Sequence, residues 1–307
     1  MTQTDLEGLD GTNPLGFFAS LGVMICYESQ DLKPTIWWSA DVAPHALLSA
    51  EFSIDRTVRT ALETIATWKD SPTLNPRNSD GSHILKGDEL KLTGKEIRNY
   101  LSYAIHGDRS ERLASSLIAE GSLDNSGRAK PTDFYFTAGQ QKFLAIARKI
   151  LSSVTYEDLK LALSGPWLDD RELPSFGWDV RDDRMYALRA IDPSTDKKLT
   201  NPGVEALALL GLSLYPVFAG KQRTETQGCS GTWKSGIFSW PLWNQPATLN
   251  TVKSLVSHVY EHESWESRKN WYVGWGISSV MSSQIRRSDQ GGYGTFGPAE
   301  IVWKRPI

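Results

Sequence analysis

Cysteine is almost missing from this chain of 307 residues, which has two, Cys26 and Cys229. Two thiols so far apart make no disulfide framework, so the fold has to rest on its core and a reducing, cytoplasmic setting is expected. Long hydrophobic runs are missing as well. The longest uncharged apolar stretch lies between Pro14 and Tyr27. It falls short of the roughly 20 residues a helix needs to cross a bilayer, and no membrane partner is expected. Asp5, Glu7 and Asp10 precede it where a secretion signal carries basic charge, so it does not read as a leader. A surplus of charge is the third thing lacking: 33 Lys and Arg stand against 36 Asp and Glu, a net charge of −3. The molecule as a whole therefore has no field that draws in nucleic acid. No Walker motif is present, no Gly-x-Gly-x-x-Gly turn runs from a predicted strand into a helix, and there is no Gly-x-Ser-x-Gly elbow. These gaps argue against nucleotide hydrolysis and against a serine hydrolase of that kind.

What is present is enough apolar residue, 40% of the chain against 22% charged, for a globular protein of one large or two ordinary domains. The clearest element is the stretch from Asn13 to Tyr27. Asn13 is a good N-cap, because its side-chain oxygen can accept from a first-turn amide. Pro14 falls at the first helical position, where its missing N–H costs nothing. No charge follows until Glu28. A helix apolar all round is buried all round, and Gly16, Ala19, Ser20 and Gly22 leave room for another backbone to come close.

Further along, residues 34–40 read as a strand and 55–68 as a helix with Val58, Leu62, Ile65 and Trp68 at helical spacing. Residues 71–89, with Pro72, Pro76 and Gly81, read as a loop. Thr93 and Glu96 form a capping box before a helix to about His106, and a second helix follows over 110–120. The aromatic run Asp133–Thr137 predicts a strand, and Thr137 with Gln140 a capping box for a helix pair over 139–152 and 155–164. After Pro166 the pattern turns to short aromatic segments, Phe176–Trp178 and Met185–Arg189 among them. Pro202–Leu212 predicts a helix, 248–263 an amphipathic one, and 272–307 short strands around the loop 290–297. Without a βαβ rhythm the whole reads as α+β: a buried N-terminal helix, several helical hairpins, and short antiparallel strands in a Trp-rich C-terminal part. A boundary after residue 165 divides it into 1–165 and 166–307, which can also pack as one unit.

Three constellations are candidates for chemistry. His258-Val-Tyr-Glu261-His262 matches the H-x-x-E-H pattern, in which two histidines on one helix face ligate zinc and the glutamate acts as base. The same spacing puts His262 on the apolar stripe with Leu255 and Val259, where an ordinary packed histidine is expected, so no metal is assigned. The junction Thr137-Ala-Gly-Gln-Gln-Lys142 offers helix N-terminal amides and Lys142 to an anion, or simply turns the chain. From Arg268 onward there are six basic residues and two acidic ones. Within that stretch Arg286 and Arg287 precede a Gly-rich loop carrying Tyr293 and Phe296, the ingredients of a backbone-tracking, base-stacking contact. Lys142, Arg148, Arg286, Arg287, Lys304 and Arg305 are thus the candidate phosphate contacts, with Tyr293 and Phe296 as stackers.

Several phrases in this order resemble one family. They are Gly8-Leu-Asp-Gly-Thr-Asn-Pro-Leu-Gly-Phe-Phe-Ala-Ser-Leu-Gly22, Asp133-Phe-Tyr-Phe-Thr-Ala-Gly-Gln-Gln-Lys-Phe-Leu144, Asp183-Arg-Met-Tyr-Ala-Leu-Arg189, the helix Gly203–Leu212, and Trp240-Pro-Leu-Trp243. They are similar to the large-subunit-type proteins of type I CRISPR interference complexes, the subtype I-G (I-U) group in particular. The resemblance implies a non-catalytic place in a Cascade-like ribonucleoprotein serving antiviral defence, without a cofactor. The implied partners are the other CRISPR complex subunits, guide RNA and target double-stranded DNA. In such complexes the protein reads the flanking duplex while guide pairing reads the sequence. The chain is short for that group, near neutral, and Trp-rich rather than a helical bundle at its C-terminal end. No family motif assigns a catalytic residue here.

Overall fold

The computed structural model describes residues 3–306 except 29, 31, 79, 86–88, 107–108, 122, 138–140, 183–198, 221–223, 260–264 and 288–292. The first half runs β1 (Gln3–Asp10), α1 (Pro14–Glu28), β2 (Ile36–Trp38), β3 (His45–Ser49), α2 (Ile54–Lys69), α3 (Gly94–Ala104), α4 (Glu111–Leu117), α5 (Phe143–Ser153) and α6 (Tyr156–Ser164). The second runs α7 (Pro202–Leu212), β4 (Val217–Ala219), β5 (Thr224–Thr226), β6 (Cys229–Gly231), β7 (Ser235–Trp243), α8 (Leu249–His258), α9 (Trp265–Lys269), β8 (Ile277–Arg287) and β9 (Gly294–Lys304). Helices combine with antiparallel sheets in the orders β1-β3-β2 and β6-β7-β8-β9, plus the β4-β5 hairpin. The fold is α+β.

Asn13 caps α1 as its sequence predicts, and does more. Its Oδ1 accepts from the Leu15 N–H at 3.1 Å, while its Nδ2 donates to Asp179 Oδ1 at 2.9 Å. Every residue of α1 from Pro14 to Tyr27 is buried, and so is every residue of α7. The two helices form the centre of the molecule because their backbones touch. A Cβ on Gly22 would lie 1.9 Å from the Leu207 carbonyl oxygen, and one on Gly211 would lie 1.9 Å from that of Phe18. Around this seam Phe18 packs on Phe134, Trp178, Tyr215 and Phe238, and Phe17 on Trp38, Trp240 and Trp243. The indole N–H groups are used as well: Trp240 donates to the Gly11 carbonyl at 2.8 Å and Trp243 to that of Ile36 at 2.7 Å. Ile36 and Ala247 exchange both backbone hydrogen bonds at 3.0 Å, tying β2 to the segment that follows β7. One hydrophobic cluster therefore runs from Leu6 to Phe296, and the boundary at 165/166 does not separate two cores.

Several expectations are corrected. The 133–137 and 176–178 segments are irregular chain, not strands. Their aromatic rings enter the core instead, with Trp178 Nε1 donating to the Phe134 carbonyl at 3.0 Å. The C-terminal strands are the longest in the protein rather than short: β8 and β9 have 11 residues each. Burial of Ser279, Ser282 and Ser283 within β8 overrides their weak strand preference, because pairing on both sides outweighs intrinsic propensity. The mostly polar β1 pairs with β3; neither strand was expected. Helix α2 is capped by Ser53, whose Oγ accepts from the Arg56 N–H at 3.3 Å, with Asp55 inside the first turn. The Thr93–Glu96 capping box forms in both halves.

Candidate nucleic-acid interface

The cations singled out in the sequence do not converge. Lys142 is the N-cap residue of α5, which starts at Phe143, so the Thr137–Gln140 box does not open that helix; residues 138–140 lie outside the described ones. Its Nζ bonds Glu89 Oε2 at 2.7 Å with both side chains mostly buried. Burial alone would raise the Glu89 carboxyl, but the hydrogen bond and charge of Lys142 outweigh it and hold the group below the ordinary range. Arg148 donates to the Leu74 carbonyl at 2.6 Å. Arg286 lies across the β8-β9 hairpin over Gly297, where a Cβ would meet its Nε at 2.9 Å.

Arg287 and Phe296 are corrections. Arg287 donates to the carbonyls of Trp233 (3.0 Å), Tyr135 (2.8 Å) and Asp133 (2.6 Å), and its guanidinium stacks 3.6 Å from the Trp233 ring centroid. Burial, against the pull of Asp133, pushes its pKa down to about 10. Its donors are committed to the protein's own backbone. Phe296 is fully buried, 4.9 Å from the ring of Phe136, and has no face for a base. Tyr293, Lys304 and Arg305 do reach the surface. They sit at opposite ends of β9, and an 11-residue strand separates them by on the order of 35 Å. They are not one site.

A different group of cations does converge, at the end of α1. Glu28, the first charge after that helix, receives Arg112 from α4 on Oε2 and Lys253 from α8 on Oε1, the latter at 3.0 Å. Arg109 donates to the Glu28 carbonyl oxygen, where a cation also complements the negative end of the helix dipole. Arg112 and Lys253 line an open cleft of about 330 Å³ together with Ser115, Ser213, Leu214, Pro216 and Gln227. Burial would raise the Glu28 carboxyl, but Arg112 and Lys253 more than offset it and hold it below its ordinary value. Arg112 and Lys253 against the one Glu28 carboxylate leave the charged lining of the cleft positive. A guanidinium has five N–H donors and an ammonium three, so the bonds to Glu28 leave most of that capacity for an anionic oxygen. Only the abrupt end of the apolar run at Glu28 signals this place in the sequence. Its partners come from 84 and 225 residues away.

Only the first two residues of the zinc pattern lie within the described ones. Helix α8 ends at His258, and Val259 follows at φ −111°, ψ 88°. Of the five residues of the pattern, His258 alone stands on a described helix. His258 Nδ1 lies 2.8 Å from the Ser254 carbonyl oxygen, and its ring stands edge-on to Trp275. Glu261 and His262 lie outside the described residues. Among the described residues no group of three His, Cys, Asp or Glu side chains gathers to hold a metal.

Comparison of the chain with protein-family models, with curated proteins and with solved structures finds no match. The local chemistry of the cleft is the guide that remains. Its acid dependence is one test. A carboxylate whose folded pKa is lowered adds stability at neutral pH that disappears as pH falls through that value. Glu28→Gln is expected to flatten the acid side of the Tm–pH curve, losing less between about pH 6 and pH 3 than wild type does. Equal slopes in the two proteins would show that Glu28 gains nothing from its cations.

Proposed function

We propose that this chain is a non-catalytic subunit of a type I CRISPR interference ribonucleoprotein of the subtype I-G kind that its sequence phrases resemble. It contacts the phosphate backbone of guide RNA or target DNA through the cleft beside Glu28. The observation that carries this reading is the excess of cations there: Arg112 and Lys253 meet the single Glu28 carboxylate at the rim of an open cleft. Such a site suits a phosphate, which needs charge and forked donors. Ser115 and Gln227 beside it are the types of side chain that bond phosphate oxygens and sugars. The contact positions the nucleic acid and carries no sequence information, as expected of a protein whose specificity is delegated to guide pairing.

Purification from the native host is expected to bring down RNA and the other complex subunits with the chain. In binding measurements Lys253→Glu should weaken affinity for all sequences alike, and the slope of log affinity against log salt should shrink by about one for the contact removed. Lys142→Ala, which only frees Glu89, should leave that slope unchanged. A salt slope that Lys253→Glu does not alter would remove the cleft from the interface. Stoichiometric zinc that depends on His258 would overturn the non-catalytic reading. A purely structural interaction protein is the second reading, favoured by the exposed Trp271, Ile301 and Val302. It predicts a complex that assembles unchanged after nuclease treatment.

A further inference from the structure

The cleft beside Glu28 is better supplied with cations than with neutral donors. Arg112 and Lys253 each spend one donor on Glu28, and a guanidinium or an ammonium has more than one to give. The uncharged polar groups of the lining are bound to the protein's own carbonyls. Ser115 Oγ donates to the Arg112 carbonyl at 2.7 Å, and Ser213 Oγ to that of Leu210 at 2.6 Å. A hydroxyl whose proton is spent in this way can only accept from a ligand. The backbone N–H groups of Ser213, Leu214 and Gln227 go to the carbonyls of Leu210, Gly211 and Pro216, and Pro216 itself has none. Gln227 is held by its side chain as well. Its Nε2 donates to the Leu214 carbonyl at 3.3 Å, which sets which end of the amide is oxygen. That amide keeps one N–H, and among the described residues no donor reaches its Oε1.

The two halves of the lining ask different things of a ligand. The cations ask for an anionic oxygen. Gln227 Oε1 and the two hydroxyl oxygens ask for a hydrogen-bond donor within the same small space. At about 330 Å³ the cleft lies at the small end of ligand pockets, which run to about 300–1,000 Å³. It therefore holds about one nucleotide of chain and does not take in a duplex. Leu214 and Pro216 add apolar lining, suited to the carbon face of a sugar. The phosphodiester backbone of DNA carries anionic oxygens and no donor. The backbone of RNA carries both, because each ribose sets a 2′-OH beside its own phosphate.

We infer that the cleft selects RNA over DNA, taking one nucleotide of a single strand with its phosphate on Arg112 and Lys253 and its 2′-OH donating to Gln227 Oε1. The inference rests on the nucleic-acid reading of the cleft and adds which nucleic acid it takes. Fluorescence anisotropy on the full chain at one fixed salt concentration tests it. The probes are labelled single strands of one sequence, made as RNA, as DNA and as 2′-fluoro RNA, which keeps a ribose-like sugar without the donor. RNA should bind about three- to tenfold more tightly than the other two, which is what one net hydrogen bond is worth. Gln227→Leu should bring RNA down to the affinity of DNA and leave DNA where it was. That variant also strands the Leu214 carbonyl, so the 2′-fluoro strand makes the same deletion from the ligand's side on an unaltered protein. Equal affinities for the three strands, each weakened by Lys253→Glu, overturn the RNA inference and leave the backbone contact standing. An RNA preference that persists with the 2′-fluoro strand or in Gln227→Leu overturns it as well. Binding of none of the strands overturns both readings. Ribose 5-phosphate that displaces the RNA at equal concentration makes a small sugar phosphate the occupant and overturns the inference too.

Discussion

Gly211→Ala is expected to destabilise the protein by about 3 kcal/mol or more, at the upper end of what overpacking a core costs. The argument sets two effects of opposite sign against each other. In the interior of a helix alanine is favoured over glycine by about 1 kcal/mol, so a substitution judged on α7 alone would stabilise. The added methyl, however, would sit 1.9 Å from the Phe18 carbonyl oxygen and 2.8 Å from the Gly22 nitrogen. These are backbone atoms of a buried helix, with no side chain able to swing aside. The only relief is to move α7 off α1, which loosens the aromatic contacts of Phe17 and Phe18 on both sides of the seam. At about 2–4 °C per kcal/mol for a chain of this order, the Tm should fall by roughly 6 °C or more. Gly22→Ala meets the Leu207 carbonyl in the same way. The double variant should cost less than the sum, because one separation of the helices relieves both clashes. Gly94→Ala, at the start of α3, is the control: its Cβ would meet nothing nearer than Leu123 at 3.8 Å, and it should be neutral or stabilising. A Gly211→Ala variant as stable as wild type would mean that the two backbones are not in contact.

The second large effect falls on Arg287, which the sequence marks as a phosphate contact and the structure uses as an internal clamp. Its three donors reach carbonyls on two separate chain segments, 133–135 and Trp233, and its plane covers the Trp233 ring. Arg287→Met keeps the bulk and removes every donor. It strands the three carbonyls and leaves Asp133, which is nearly fully buried, without the cation beside it. Breaking a buried charged network by deleting one partner costs about 3–5 kcal/mol. Arg287→Lys should recover part of this, since an ammonium keeps the charge but has neither the planar fork nor the flat stack on the indole. Tm and the fluorescence of the Trp233 environment read both changes. Equal loss in the Met and Lys variants would mean that geometry, not charge, holds the clamp. A full-strength fold in Arg287→Met would return the residue to the list of surface contacts.

Local order was legible in the sequence wherever one residue decides it. Asn13, Thr93 and Pro202 each begin a helix where capping chemistry says they should, and α1 is buried from Pro14 to Tyr27 as its apolar run predicts. Aromatic runs were not legible in the same way. A buried ring satisfies hydrophobic burial equally in a strand or in irregular chain, and so Phe134–Phe136 and Phe176 with Trp178 have the composition of strands they do not form. Arg287 and Phe296 turn inward for a related reason. Charge type and neighbouring glycines say that a cation is near a turn, but whether its donors face solvent or a carbonyl depends on chain segments far away.

The sequence by itself determined the α+β class, the buried helix α1, the helix α7 and the absence of a long apolar span, because each follows from residues within one or two turns of one another. Only the tertiary structure decided that α1 and α7 meet backbone to backbone, and that Arg287 turns inward. It alone brought Arg109, Arg112 and Lys253 to Glu28. Those outcomes are set by contacts between residues from tens to more than two hundred positions apart, for which spacing along the chain carries no signal.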